Sequence, residues 1–149
     1  MIGGEAMSED VYLTKPWLKN YDKNVQAELT YEDKTFAEKF SEAVKVYPDK
    51  TAMIYLGRKF TFKELDLLSN QLAHYIIKAG LKPDDVVGLH LPNIPAHYIG
   101  FVAVQKAGCV SKGLSPLLTA AEMAHQLQDS NTKLAITVDV LYEKIFEAA

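Results

Sequence analysis

Residues 86–119 read VVGLHLPNIPAHYIGFVAVQKAGCVSKGLSPLLT, and this stretch decides the fold. Val86, Val87, Leu89 and Leu91 make a short apolar run rich in β-branched residues, between Pro83-Asp84-Asp85 and Pro92-Asn93, which is the pattern of a buried strand. Asn93 is suited to cap a helix, and Pro95 falls where a first turn tolerates a missing N–H. Ile99, Val102, Ala103 and Lys106 then recur at helical spacing, and Gly108 supplies the stop. Cys109 and Val110 open a second short run that ends at Gly113. Strand, helix and strand in this length predict a βαβ unit, whose parallel strands need a crossover and cover on both faces.

The flanking segments supply that cover. Upstream, Thr35-Phe36-Ala37-Glu38 is a capping box that opens a helix with Phe36, Phe40, Ala43 and Tyr47 on one face, ending before Pro48. Thr51 to Leu56 reads as a strand, Gly57-Arg58 as a two-residue turn, and Lys59-Phe60 as the return strand. A second box, Thr61-Phe62-Lys63-Glu64, starts a helix with Leu65, Leu68, Leu72 and Ile76 inward and Gly80 as its stop. Downstream, Thr119-Ala120-Ala121-Glu122 starts a helix with Met123, Ala124 and Leu127 inward. Leu134 to Val138 is the next strand, and Asp139 is placed to cap a final helix with Leu141, Ile145 and Phe146 apolar. The expected fold is therefore α/β, an open sheet with a β-hairpin followed by βαβαβα. Residues 1–34 are expected to be a tail and arm, residues 35–149 the α/β layer. Residues 1–11 read as a loose tail in which Met7 is an alternative start.

Composition agrees with a folded chain. Of 149 residues 48% are apolar and 23% charged, as in ordinary globular domains long enough to bury a core. A net charge of −3, without a basic stripe interleaved with aromatics, points away from nucleic acid. The single cysteine, Cys109, excludes an intrachain disulfide. The first residues lack a secretory pattern, and no apolar run approaches the roughly 18 residues of a membrane span. A cytoplasmic location is expected. Lys15, Lys19 and Lys23 fall at i, i+4 and i+8, so a basic face resting peripherally on a membrane is one reading; a solvated side of an arm is the plainer one.

Residues able to do chemistry are sparse. Gly108 to Gly113 has the glycine spacing of a phosphate loop, yet Leu114 and Ser115 follow where a lysine should, and Gly108 ends a helix instead of a strand. Cys109 reads as a buried thiol. His74, His90, His97 and His125 show no metal-ligand spacing. His74 and His125 read as boundary residues of helices, and His90, on a buried strand, needs a hydrogen-bond partner. His97, in the first turn after the central strand, stands where open α/β sheets hold ligands. Glu38, Glu64 and Glu122 are absorbed by capping boxes. No catalytic, cofactor-binding or metal residue is assigned.

From Phe60-Thr-Phe-Lys-Glu-Leu65 onward the chain resembles the adenylate-forming acyl-CoA synthetases, whose first core motif is written L-T-Y-x-E-L. Residues 47–52 (YPDKTA), 80–87 (GLKPDDVV), 91–93 (LPN) and 105–119 (QKAGCVSKGLSPLLT) are similar to further family motifs, in family order. Within the superfamily, residues 15–21 (KPWLKNY) and 122–133 (EMAHQLQDSNTK) look most like long-chain fatty-acid–CoA ligases. The family commonly has a small polar residue where Leu114 stands and a tyrosine where Leu118 stands.

The resemblance implies a parent enzyme that activates a fatty acid with ATP and magnesium, forming an acyl-adenylate, and passes the acyl group to coenzyme A. Relatives are several times longer, and their phosphate loop, ribose-binding aspartate, hinge and catalytic lysine match no residue here. The chain is expected to be an incomplete first part of the AMP-binding N-terminal domain. It is expected to bind no cofactor alone, to be inactive alone, and to self-associate through bared apolar faces. The alternative is a stand-alone α/β interaction or ligand-binding module.

Overall fold

The computed structural model describes residues 10–149. Most of the stretch read as a tail, with Met7, lies outside the described residues. Two compact units divide the chain, Met1–Asp33 and Lys34–Ala149. In the first, α1 (Asp10–Thr14) is followed by a 3-10 turn over Pro16–Asn20. Lys15, between them, is left-handed at φ 44° and its ammonium pairs with Glu28. Pro16 and this conformation break the helix, so Lys15, Lys19 and Lys23 do not share the helical face their spacing suggested. Tyr12 meets Trp17 edge-on, ring centres 6.0 Å apart.

The second unit begins with α2 (Phe36–Val46), capped as expected: Thr35 accepts from the Glu38 N–H and the Glu38 carboxylate accepts from the Thr35 N–H. Its face differs from the expected one. Phe40 is buried and Val44 packs beside it, whereas Tyr47 and much of Phe36 stay exposed. A hairpin follows, β1 (Thr51–Tyr55) and β2 (Arg58–Thr61), paired Tyr55 to Arg58. The two turn residues are thus Leu56-Gly57, at φ 47° and 81°, one residue earlier than the sequence suggests. Two positive φ angles in succession give the twist that tight hairpins require, and leucine is seldom found there.

α3 (Phe62–Lys78) carries the second capping box and buries Leu65, Ser69, Ala73 and Ile76. Leu68 and Leu72 flank this stripe instead of centring it. Next come β3 (Val86–His90), α4 (Pro95–Lys106) and β4 (Val110–Gly113), the expected βαβ unit. Ile94, not Asn93, takes the N-cap position of α4, without a side-chain bond, and Pro95 opens the first turn. At the other end Gly108, at φ 73°, closes a Schellman motif: its N–H reaches Gln105 O at 3.1 Å and the Cys109 N–H reaches Val104 O at 3.0 Å. α5 (Ala120–Asp129), again with its box, leads to β5 (Thr132–Thr137). A 3-10 turn over Asp139–Leu141 precedes α6 (Tyr142–Ala148). Asp139 lies inside that turn, accepting from the Val140 N–H, and does not cap α6. Ile145 and Ala148 face inward; Phe146, apolar in the same helix, is 70% exposed.

The three parallel strands are ordered β4-β3-β5, and the hairpin forms a sheet of its own. β3 is central, with Val87 and Leu89 packed on Ala73, Ile76, Ala103 and Val104 of α3 and α4. Alternate strand residues face opposite ways, so Gly88 and His90 belong to the other face. A Cβ on Gly88 would sit 2.9 Å from Leu114 Cδ1, so glycine lets the layer of Leu114, Met123, Ile145 and Ala148 close on the strand. A third cluster, Phe40, Phe60, Leu65 and Val102, joins the hairpin to α2, α3 and α4. Burying such side chains contributes roughly 1.5–3 kcal/mol apiece.

Candidate functional site

The chain leaves β3 toward α4 on one face of the sheet and leaves β5 toward α6, which packs with α5 on the other. Loops that diverge in this way open a crevice beyond the carboxyl ends of the strands, the usual ligand position in open α/β sheets. Here the edge is built from Leu91-Pro92-Asn93 after β3, Gly113 to Leu117 after β4, and the first turn of α4. They enclose a crevice of about 460 Å³, with His97 on its wall. On the other side of His97 a groove of about 430 Å³ runs between β1 and α4, lined by Met53, Tyr55, Ile94, Tyr98 and Phe101.

His97 is half-buried, and its Nδ1 lies 3.1 Å from the Leu91 carbonyl. A carbonyl only accepts, so Nδ1 carries the proton and Nε2 is the acceptor of the neutral ring. The wall is held from α6 as well, where Lys144 Nζ donates to Pro116 O at 2.9 Å. His90 ends β3 with no exposed surface. Its Nδ1 is 3.2 Å from Thr137 Oγ1, across the β3–β5 pairing, so the partner expected for it is present on one nitrogen. Burial lowers the pKa of this ring, and the charge of Lys144 lowers it further.

The other candidates do not join the crevice. His74 is exposed on α3, beside a polar groove with Lys34, Glu42 and Lys45, and His125 is exposed on α5. Cys109 is buried, its Sγ 3.4 Å from the Lys82 carbonyl, and burial first, then Asp85 and Asp84, raises its pKa, as suits an inert thiol. Gly108 and Gly113 serve a helix stop and a strand end, so the phosphate-loop spacing between them spans β4. Leu114 is buried and Leu118 packs against its cluster, so both departures from the family pattern feed the α5–α6 core. Among the described residues no three His, Cys, Asp or Glu side chains gather as a metal site.

One cluster escaped the sequence reading. Lys106, 11% exposed, reaches from α4 to α3, its ammonium 2.7 Å from Asp66 Oδ1, 2.7 Å from Asn70 Oδ1 and 2.9 Å from Ser69 Oγ. The ring of Phe40 lies 5.2 Å from the same nitrogen. A lysine at the end of a mostly apolar helix, opposite a buried serine, was the available signal. With every ammonium proton engaged, the group locks α3 to α4.

Residues 40–149 match the model of the family described as AMP-binding enzyme. The chain is 34% identical over 130 residues to the long-chain-fatty-acid–CoA ligase of Bacillus subtilis, covering 87% of this chain and 23% of that protein. It is likewise 34% identical over 140 residues to bacitracin synthase 3 of Bacillus licheniformis, covering 94% of this chain and 2% of the synthase. The chain thus spans under a quarter of the length of these relatives. Among solved structures, the N-terminal subdomain of Klebsiella oxytoca NpsA in complex with 3-hydroxyanthranilyl-AMSN matches with a TM-score of 0.69 at 26% identity, covering 73% of this chain and 28% of that one. A benzoate CoA ligase from Burkholderia xenovorans LB400 shares the fold, with a TM-score of 0.73 at 23% identity over 77% of this chain and 24% of that one.

Proposed function

Because this chain belongs to the AMP-binding enzyme family, we propose that it serves the ATP-dependent activation of fatty acids, as the N-terminal portion of a long-chain fatty-acid–CoA ligase. The reaction forms an acyl-adenylate with release of pyrophosphate, then transfers the acyl group to the thiol of coenzyme A. The observation that carries this reading is the 34% identity to the Bacillus subtilis ligase over 130 residues. The role of these residues is to frame the site. β3, β4 and α4 set the wall of the crevice, and His97 lines it. Binding of ATP and magnesium is proposed for the parent enzyme and is assigned to no residue of this chain. We further propose a cytoplasmic setting. No helix among the described residues is long and apolar enough to cross a membrane. Self-association of the isolated chain belongs to the same proposal, supported by bare Leu56, Leu117, Val140 and Phe146.

The equal identity to bacitracin synthase 3 favours a second reading, adenylation of an amino acid. Pyrophosphate exchange separates the two, measured on the full-length gene product with palmitate or with a panel of amino acids. Fatty-acid-dependent exchange followed by acyl-CoA formation is expected. Exchange with amino acids alone would overturn the ligase reading. The 149-residue chain alone is expected to give no exchange with either.

A further inference from the structure

We propose that His90 makes the packing of the parallel sheet on α5 and α6 acid-labile: a proton taken up at Nε2 is buried without an acceptor, and the layer around it loosens. The inference concerns the stability of this fold and is independent of the ligase reading.

The hydrogen bonds around the ring assign its tautomer. The Thr137 hydroxyl donates to the backbone carbonyl of His90 at 3.1 Å, so its oxygen is left to accept from Nδ1 at 3.2 Å. Nδ1 therefore holds the proton of the neutral ring, and Nε2 is a bare acceptor. Nε2 is buried and meets no hydrogen-bond partner. An unmet acceptor on a neutral ring is tolerated at modest cost; a buried cation with an unmet donor is far costlier.

The surroundings offer no remedy. β5 contributes Thr137, whose hydrogen is already used. On this face of the sheet the buried residues Leu114, Met123 of α5, and Ile145 and Ala148 of α6 are apolar. The charged group acting on the ring is Lys144 of α6, a second cation, held on Pro116 O. Burial and this lysine both lower the pKa of His90 in the fold, so the folded chain binds fewer protons than the unfolded one below the ordinary value of 6.5. Stability from this group is full above about pH 6.5 and falls by up to about tenfold in the folding constant per pH unit below it.

The test is urea unfolding of the 149-residue chain and of His90→Leu at pH 7.5 and pH 5.0, with a nitrogen-15 NMR titration of the wild-type histidines. The wild type is expected to lose more of its folding constant than His90→Leu across that interval, by up to about thirtyfold. His90 is expected to show an unprotonated Nε2 at pH 7.5 and to titrate below the ordinary imidazole value of 6.5. Equal pH dependence of the two chains, or a His90 that titrates at or above the ordinary imidazole value, would overturn the proposal. Should His90→Leu fail to fold, the titration stands by itself, joined by hydrogen exchange. Amides of β3, β5 and α6 are expected to lose protection at pH 5.0 while those of α3 keep theirs, and uniform protection would refute the idea.

Discussion

Replacing Lys106 by methionine removes an ammonium while keeping most of the stem that lies over Phe40. The ammonium gives three short bonds, to Asp66, Asn70 and Ser69, and a longer one to the Asp66 carbonyl at 3.3 Å. Loss of one partner from a fully buried ion pair costs about 3–5 kcal/mol. Asp66 is 29% exposed and can turn toward water, which brings the expectation down to about 2–3 kcal/mol, the scale of one or two charge-assisted bonds. With a urea slope of about 2 kcal/mol/M for a chain of this size, the midpoint falls by about 1 M at unchanged slope. Asp66→Asn should cost less than Lys106→Met, and the double variant less than the two together, with a coupling of at least about 1 kcal/mol. Equilibrium urea unfolding followed by circular dichroism reads all four chains. A Lys106→Met midpoint within about 0.2 M of wild type, or strictly additive variants, would refute the view that this lysine locks α3 to α4.

The capping boxes provide a second expectation: Thr61→Ala lowers stability by about 1 kcal/mol in the same assay. Hydrogen bonds from Thr35, Thr61 and Thr119 hold Glu38, Glu64 and Glu122 below the usual carboxylate pKa of 4.5. Their folded values lie under the unfolded ones, so what they contribute is present above about pH 4.5 and is lost as pH falls through the folded values. An acid titration of helicity should therefore show less loss in Glu64→Gln, which still caps when neutral. At the hairpin, Leu56→Asn should raise the thermal midpoint and Gly57→Ala lower it, each by a few degrees, because both positions hold positive φ. Cys109 should react with a disulfide reagent at pH 8 only as fast as the chain opens, and at once in urea; rapid native labelling would contradict its burial.

Much of the fold is legible because its signals are local. Each Thr-x-x-Glu box satisfies its own backbone donors within four residues, and all three helices begin where the boxes place them. Gly108 marks a helix end because only the left-handed residue matters there. What failed to show depends on partners far along the chain. Lys106 looked like one more helical position until α3 brought Asp66 and Ser69 beside it. Ile145 and Phe146 are both apolar, yet the short α6 turns Ile145 and Ala148 inward. The hairpin turn shifted because leucine occupies a conformation that local preference denies it. At the crevice, His97 was placed by rule at the first turn of α4, whereas the role of His90 rests on Thr137 and Lys144, which no spacing links to it.

The central position of β3 also has a consequence for the order in which the molecule assembles. Both neighbours of β3 follow it in the chain, and the residue across from His90 lies 47 positions further on. As the chain leaves the ribosome, the hairpin and α3 close through local contacts, while Val87 and Leu89 emerge as a naked apolar strand with both ladders unfilled. β4 arrives after one helix and fills one side; β5 must then travel past β3 to reach the other. That wait is the interval in which a chaperone, or another nascent chain, competes for the strand.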